Sequence, residues 1–174
     1  MPSTYTLISS NVLSTAAASV TFSAIPSTYT DLVVRTSLRS NRSSTDDNLK
    51  IIVNNDAGST SFWSYTRLRG DGSTAASLRT TGYPWMEVFM IDGNTATSNT
   101  FSSNELYFPN YSGSQKKQIS AFNVQEDNAT SAVIAIQAFL RNTTDAISSL
   151  QFLPDNGTSW LSGSSFYLYG IKNS

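Results

Sequence analysis

Hydrophobic and polar positions alternate with a period of two along most of this chain. Val20, Phe22 and Ala24 alternate with Thr21 and Ser23. Leu32, Val34, Thr36 and Leu38 form one face, with Arg35, Ser37 and Arg39 on the other. Leu49, Ile51 and Val53 repeat the pattern. Such alternation puts successive side chains on opposite faces of a strand, one toward a core and one toward solvent. Between Trp85 and Ile91, Trp85, Glu87, Phe89 and Ile91 oppose Met86, Val88 and Met90, which predicts a strand buried on both sides. Leu106 with Phe108 and Ile119 with Ala121 predict a strand pair. Val133–Leu140 is the most apolar stretch; its Val and Ile content and its length favour a central strand over a helix. Phe166, Leu168 and Gly170 alternate with Tyr167, Tyr169 and Ile171 in a last strand.

Turn signals separate these runs. Ile25-Pro26-Ser27 ends one strand, and Asn54 to Gly58, Asp71-Gly72, Asp92-Gly93, Asn110 to Ser114 and Asn156-Gly157 supply residues that tolerate positive φ. Leu13 to Ala18 has room for one helical turn, and no segment shows a helical period. The expected fold is all-β: an antiparallel β-sandwich, jelly-roll-like, of about eight to ten strands. No charge block, Pro-rich linker or compositional shift divides the chain, so residues 1–174 read as one domain.

Composition narrows the chemistry. The chain has no His and no Cys. That excludes an imidazole acid–base pair, a thiolate nucleophile, disulfides and iron–sulfur clusters. A net charge of −1 argues against nucleic-acid binding, which draws on a basic field. Ser (30), Thr (20) and Asn (14) make up 64 of 174 residues, while charged residues are 13%, so the expected surface is polar but uncharged. No apolar run reaches the ~20 residues of a membrane-spanning helix, and Met1 to Ser10 carries no secretory signal pattern.

Candidate motifs divide between function and framework. Arg69-Gly70-Asp71 spells an adhesion tripeptide, but its residue types are also those of a hairpin turn, the favoured reading. Asn-x-Ser/Thr occurs at Asn41, Asn110, Asn128, Asn142 and Asn156, about the number this composition produces by chance. Asp46-Asp47 and Glu126-Asp127 lack calcium-loop spacing and read as loop charges. From Phe62 to Arg69 aromatics interleave with arginines, and Trp63, Tyr65, Arg67 and Arg69 share one face. They are the candidate interface residues; intrachain packing with cation–π contacts, or a platform for sugar rings or bases, are the other readings. Tyr83, Trp85 and Trp160 carry the same duality, with the core favoured for Trp85. Without His, a Ser nucleophile needs a Lys, and neither Ser-x-x-Lys nor Gly-x-Ser-x-Gly occurs. No enzymatic activity, metal or cofactor is expected.

Tyr5 to Asn11, Ala17 to Pro26, Ser27 to Val34, Glu105 to Gly113 and the closing Phe166 to Ile171 together resemble small structural proteins of tailed phages, notably cyanophages and marine phages. The resemblance spans most of the chain and implies a β-sandwich on the virion, with no catalytic residues. It implies a capsid decoration or cement protein, whose partner is the major capsid protein on the shell exterior. It also allows a tail-fibre or receptor-binding module for host glycans. The extent of the sandwich, with no shaft or coiled coil, favours decoration as a homotrimer, with neither nucleic acid nor membrane as partner.

Overall fold

A computed structural model describes residues 4–58 and 63–172. Among them are twelve strands: β1 (Tyr5–Val12), β2 (Val20–Phe22), β3 (Asp31–Leu38), β4 (Asp46–Val53), β5 (Trp63–Gly70), β6 (Ala75–Tyr83), β7 (Met86–Asp92), β8 (Ser102–Phe108), β9 (Lys117–Asp127), β10 (Ser131–Arg141), β11 (Leu150–Pro154) and β12 (Ser165–Ile171). All pair antiparallel, in an eight-stranded sheet ordered β1-β12-β3-β8-β9-β10-β5-β6 and a four-stranded sheet ordered β2-β11-β4-β7. The sandwich expected from the alternation is therefore present, with twelve strands in place of eight to ten. The additional strands are those whose alternation is blunted. β6 is an exposed edge of Ser, Thr and Ala, and β1 is a mostly exposed edge. Leu13 to Ala18 forms no helix; Ala17 instead bridges Trp160 through two backbone hydrogen bonds of 3.1 and 2.8 Å.

The core lies between the sheets. Leu32, Val34 and Leu38 of β3, with Phe166 and Leu168 of the neighbouring β12, face Leu49 and Ile51 of β4 and Phe152 of β11, all essentially inaccessible to solvent. Trp160 is fully buried, rests edge-on against Phe166 and donates its indole N–H to the Phe152 carbonyl at 3.1 Å. Trp85 departs from expectation. It is only half-buried, lies just before β7 and carries the Lys50 ammonium 3.5 Å above its ring. Tyr29 lies directly over Gly170, where any Cβ would collide with its ring.

β7 is buried on both sides, as expected from its sequence, with Glu87 among its buried residues. A bulge sits opposite Asp47 and Asn48, with Met90 as the extra residue at φ 70°, and the Met90 N–H donates to Asn48 Oδ1 at 3.2 Å. The free edge of β7 runs beneath β9 and β10. There Gln137 acts in place of a neighbouring strand: its Oε1 accepts from the Phe89 N–H at 2.6 Å and its Nε2 donates to the Glu87 carbonyl at 3.1 Å. One side chain thus satisfies an edge that would otherwise bury unpaired backbone groups.

Candidate functional site: the outer face of the large sheet

Trp63, Tyr65, Arg67 and Arg69 do share one face of β5, but it is the inward face. Trp63 and Tyr65 are 1% and 4% exposed, packed on Phe139. The Tyr65 hydroxyl donates to Glu87 Oε2 at 2.6 Å; burial first, and this bond second, push its pKa up to about 12. The Arg67 guanidinium lies 3.4 Å over the Phe89 ring, and Arg69 lies 6.0 Å from it. This stretch therefore ties the large sheet to the edge of β7 within one chain. The interface expectation is corrected for Trp63 and Tyr65, because buried rings offer nothing to a partner, and the trimer seam expected there loses its basis. The same burial removes these two rings as a sugar platform. Phe62 lies outside the described residues.

The other motifs are also framework. Asp71 accepts from the backbone N–H groups of Ser73 (2.9 Å) and Thr74 (2.7 Å), closing the β5–β6 turn with Gly72 at φ 87°. Those bonds hold its carboxyl well below the usual range. The adhesion tripeptide is therefore the hairpin it was expected to be. The reading of Asp46-Asp47 and Glu126-Asp127 as loop charges is corrected: the pairs lie on β4 and β9, and Asp47 is fully buried, accepting from the Asn156 and Gly157 N–H groups, both at 3.0 Å. Glu126 accepts from the Thr97 and Ala129 N–H groups, both at 2.6 Å. Among the described residues, no group of three or more Asp or Glu could hold a metal ion.

What the sequence reading did not single out lies on the opposite side of the same sheet. Ten large apolar side chains are exposed among the described residues, and nine of them share the outer face of the eight-stranded sheet. Tyr5, Leu7 and Val12 lie at the β1 end, beside Tyr167 and Tyr169 of β12. Tyr107, Phe122, Ile134, Ile136, Leu140 and Leu68 lie on β8, β9, β10 and β5. The tenth, Leu78, pairs with Arg67 across the β6 edge and so points the other way.

Register sets this second area out in rows across the strands. Phe122, Ile136 and Leu68 form one row, ending in Glu105 on β8 and Ser77 on β6. The next row is small: Ser120, Ala138 and Thr66, ending in Tyr107 and Arg79. A groove of about 620 Å³ follows this small row, with Gln118, Leu140 and Ser64 along its far wall. Tyr107 donates to Asp31 at 2.7 Å, and this bond first, then burial, pushes its pKa up to about 12; its ring is thus fixed at the end of the groove. Arg35 and Glu105 form an exposed ion pair at 2.7 Å in the row that leads to Phe122, while the neighbouring row, Leu7, Tyr169, Val33 and Tyr107, joins the two apolar areas.

A galectin from Caenorhabditis elegans, LEC-6, is among the solved structures similar to this chain. Identity is 11%, covering 94% of this chain and 96% of that one, with a TM-score of 0.36. That level gives a general likeness of fold and nothing about a site. No protein-family model and no curated protein sequence matches the chain. No helix among the described residues is long and apolar enough to cross a membrane.

Proposed function

We propose that this chain is a non-catalytic structural protein of a tailed-phage particle, a capsid decoration or cement protein that lies on the shell exterior and joins neighbouring capsid subunits. The carrying observation is the gathering, among the described residues, of nine of ten exposed large apolar side chains on one sheet face, in an area on β1 and β12 and an area on β8, β9, β10 and β5 that the row Leu7, Tyr169, Val33 and Tyr107 joins. Contiguous exposed apolar surface marks a contact surface in a folded protein. An apolar face that extends from β1 to β5 suits a protein that must touch more than one neighbour. The resemblance of Tyr5 to Asn11, Ala17 to Pro26, Ser27 to Val34, Glu105 to Gly113 and Phe166 to Ile171 to virion proteins supports the same reading.

Copy number in purified particles tests it, by gel densitometry against the major capsid band. A large simple fraction of the capsid copy number is the expected result. A handful of copies would move the chain to the tail, and absence from every particle would overturn the virion reading.

The groove supports a second reading, a tail-associated module for host glycans. Ser64, Thr66, Gln118 and Arg79 offer hydrogen bonds beside the apolar floor of Ala138 and the Tyr107 ring. Glycan-array binding that is lost in Gln118→Ala and Arg79→Ala would favour it.

A further inference from the structure

The rows on β8, β9, β10 and β5 have an order that suits one partner in particular. Val124 and Ile134 are followed along the strands by Phe122, Ile136 and Leu68, then by Ser120, Ala138 and Thr66, then by Gln118, Leu140 and Ser64. A ridge of large side chains therefore runs directly beside a trough of small ones. A two-fold axis lying in the face, across the strands and between ridge and trough, exchanges the two. Phe122, Ile136 and Leu68 of each copy then enter the Ser120, Ala138 and Thr66 trough of the other, and Ile134 meets Leu140. Both halves of the contact form at once, as an isologous interface requires.

We propose that the partner of this face is a second copy of the chain, docked sheet to sheet about such a two-fold axis. Three observations support this occupant. The trough lies within the 620 Å³ groove and is the one row in the area without a large apolar side chain at its centre. In the four rows the charged residues are Glu105 on β8 and Arg79 on β6, at opposite margins, so the pair buries an uncharged centre and keeps its charges at the rim. Five strands at ~4.8 Å by the seven residues from Ile134 to Leu140 at ~3.4 Å give a footprint of roughly 570 Å² per copy, or about 1,100 Å² for the pair, above the ~1,000 Å² total that a specific interface needs. The inference deepens the decoration reading by naming one of the neighbours such a protein touches. The β1 area, with Tyr5, Leu7 and Val12, stays free for the shell.

The test uses the full chain in light scattering and sedimentation across a concentration series. The expected mass is twice 18.9 kDa. Ile136→Arg, which removes a ridge residue, and Ala138→Trp, which fills the trough, should each weaken the dimer at least tenfold while leaving the melting temperature of dilute monomer nearly unchanged. Leu7→Arg, in the other apolar area, should leave the dimer intact. The chain has no cysteine, so Ile136→Cys/Ala138→Cys provides a check independent of affinity. A short bis-maleimide should join two chains of that variant and should not join chains of Leu7→Cys. A monomer at every concentration, or a dimer indifferent to both substitutions on β10, would overturn the pair. Particle copy number is measured separately, so a monomer present on particles at high copy number would overturn this inference and leave the decoration reading standing.

Discussion

Strands β3 and β10 alternate with the same period, but their two faces are filled differently. β3 sends Leu32, Val34, Thr36 and Leu38 inward and shows Arg35 and Ser37 outside. β10 sends Val133, Ala135, Gln137, Phe139 and Arg141 inward and shows Ile134, Ile136 and Leu140 outside. The neighbours of β10 repeat the exchange, with Asn123 and Gln125 of β9 buried while Phe122 is exposed. The half of the sandwich around β3, β12, β4 and β11 is thus a conventional apolar core. The half around β9 and β10 buries amides and leaves hydrocarbon in water.

Each part of that exchange has its own cause. The inward amides have specific partners. Gln137 pairs the β7 edge through both its oxygen and its nitrogen, whereas Gln125 donates to the Thr45 carbonyl at 2.8 Å and Asn123 donates to Asn104 at 2.8 Å. The Asn123 and Gln125 side-chain oxygens are buried without a partner, so of these three amides only Gln137 is satisfied at both ends. The outward hydrocarbon has no such internal explanation, and the pair proposed above would cover it.

The contrast can be broken by mutation, and the largest effect belongs to the apolar half. Phe166→Ala removes a ring packed on Phe152 and Trp160 and should cost about 3–5 kcal/mol of unfolding free energy, read by urea denaturation. Gln137→Ala should cost about 1–3 kcal/mol, because it orphans the Phe89 N–H and the Glu87 carbonyl at a buried edge. A loss near zero would mean that the β7 edge is satisfied by something other than this amide.

A third prediction concerns pH. Asp92 is fully buried, and burial first of all pushes its carboxyl up to about 6. Its unfolded value is about 3.9, so the native state binds the proton more tightly. The stability this group contributes is full below about pH 4 and is lost as pH rises through 6. Asp92→Asn should therefore raise stability at pH 7, on the order of 1–3 kcal/mol, with the advantage fading below about pH 4. Thermal melts at pH 4 and 7 check the sign. The smallest effect belongs to the outer face: Ile136→Ser should change monomer stability by less than about 1 kcal/mol.

Much of this arrangement was legible from the period of two. It placed β3, β4, β7 and β12, paired β8 with β9, and set Trp63, Tyr65, Arg67 and Arg69 on a common face. Alternation states which side chains share a face and is silent on which face is covered. That is why the face of Trp63 read as an interface, while Val133–Leu140 read correctly as a central strand but without its open side. β10 is central in its sheet yet open on one side. The outward set on β9 and β10 carried a signal in the sequence, since Phe122 and Ile136 alternate with Asn123 and Gln137. Reading it required knowing that the amides had partners inside.

The central claim is that the outer face of the large sheet is the working surface. Hydroxyl-radical footprinting of the chain, free at low concentration and again in purified particles, tests it most directly. The expected result is strong oxidation of Tyr107, Phe122, Ile136 and Leu68 in the free chain and loss of that labelling in the particle, with the outer face of the four-stranded sheet unchanged. Equal labelling of those residues in both states would contradict it.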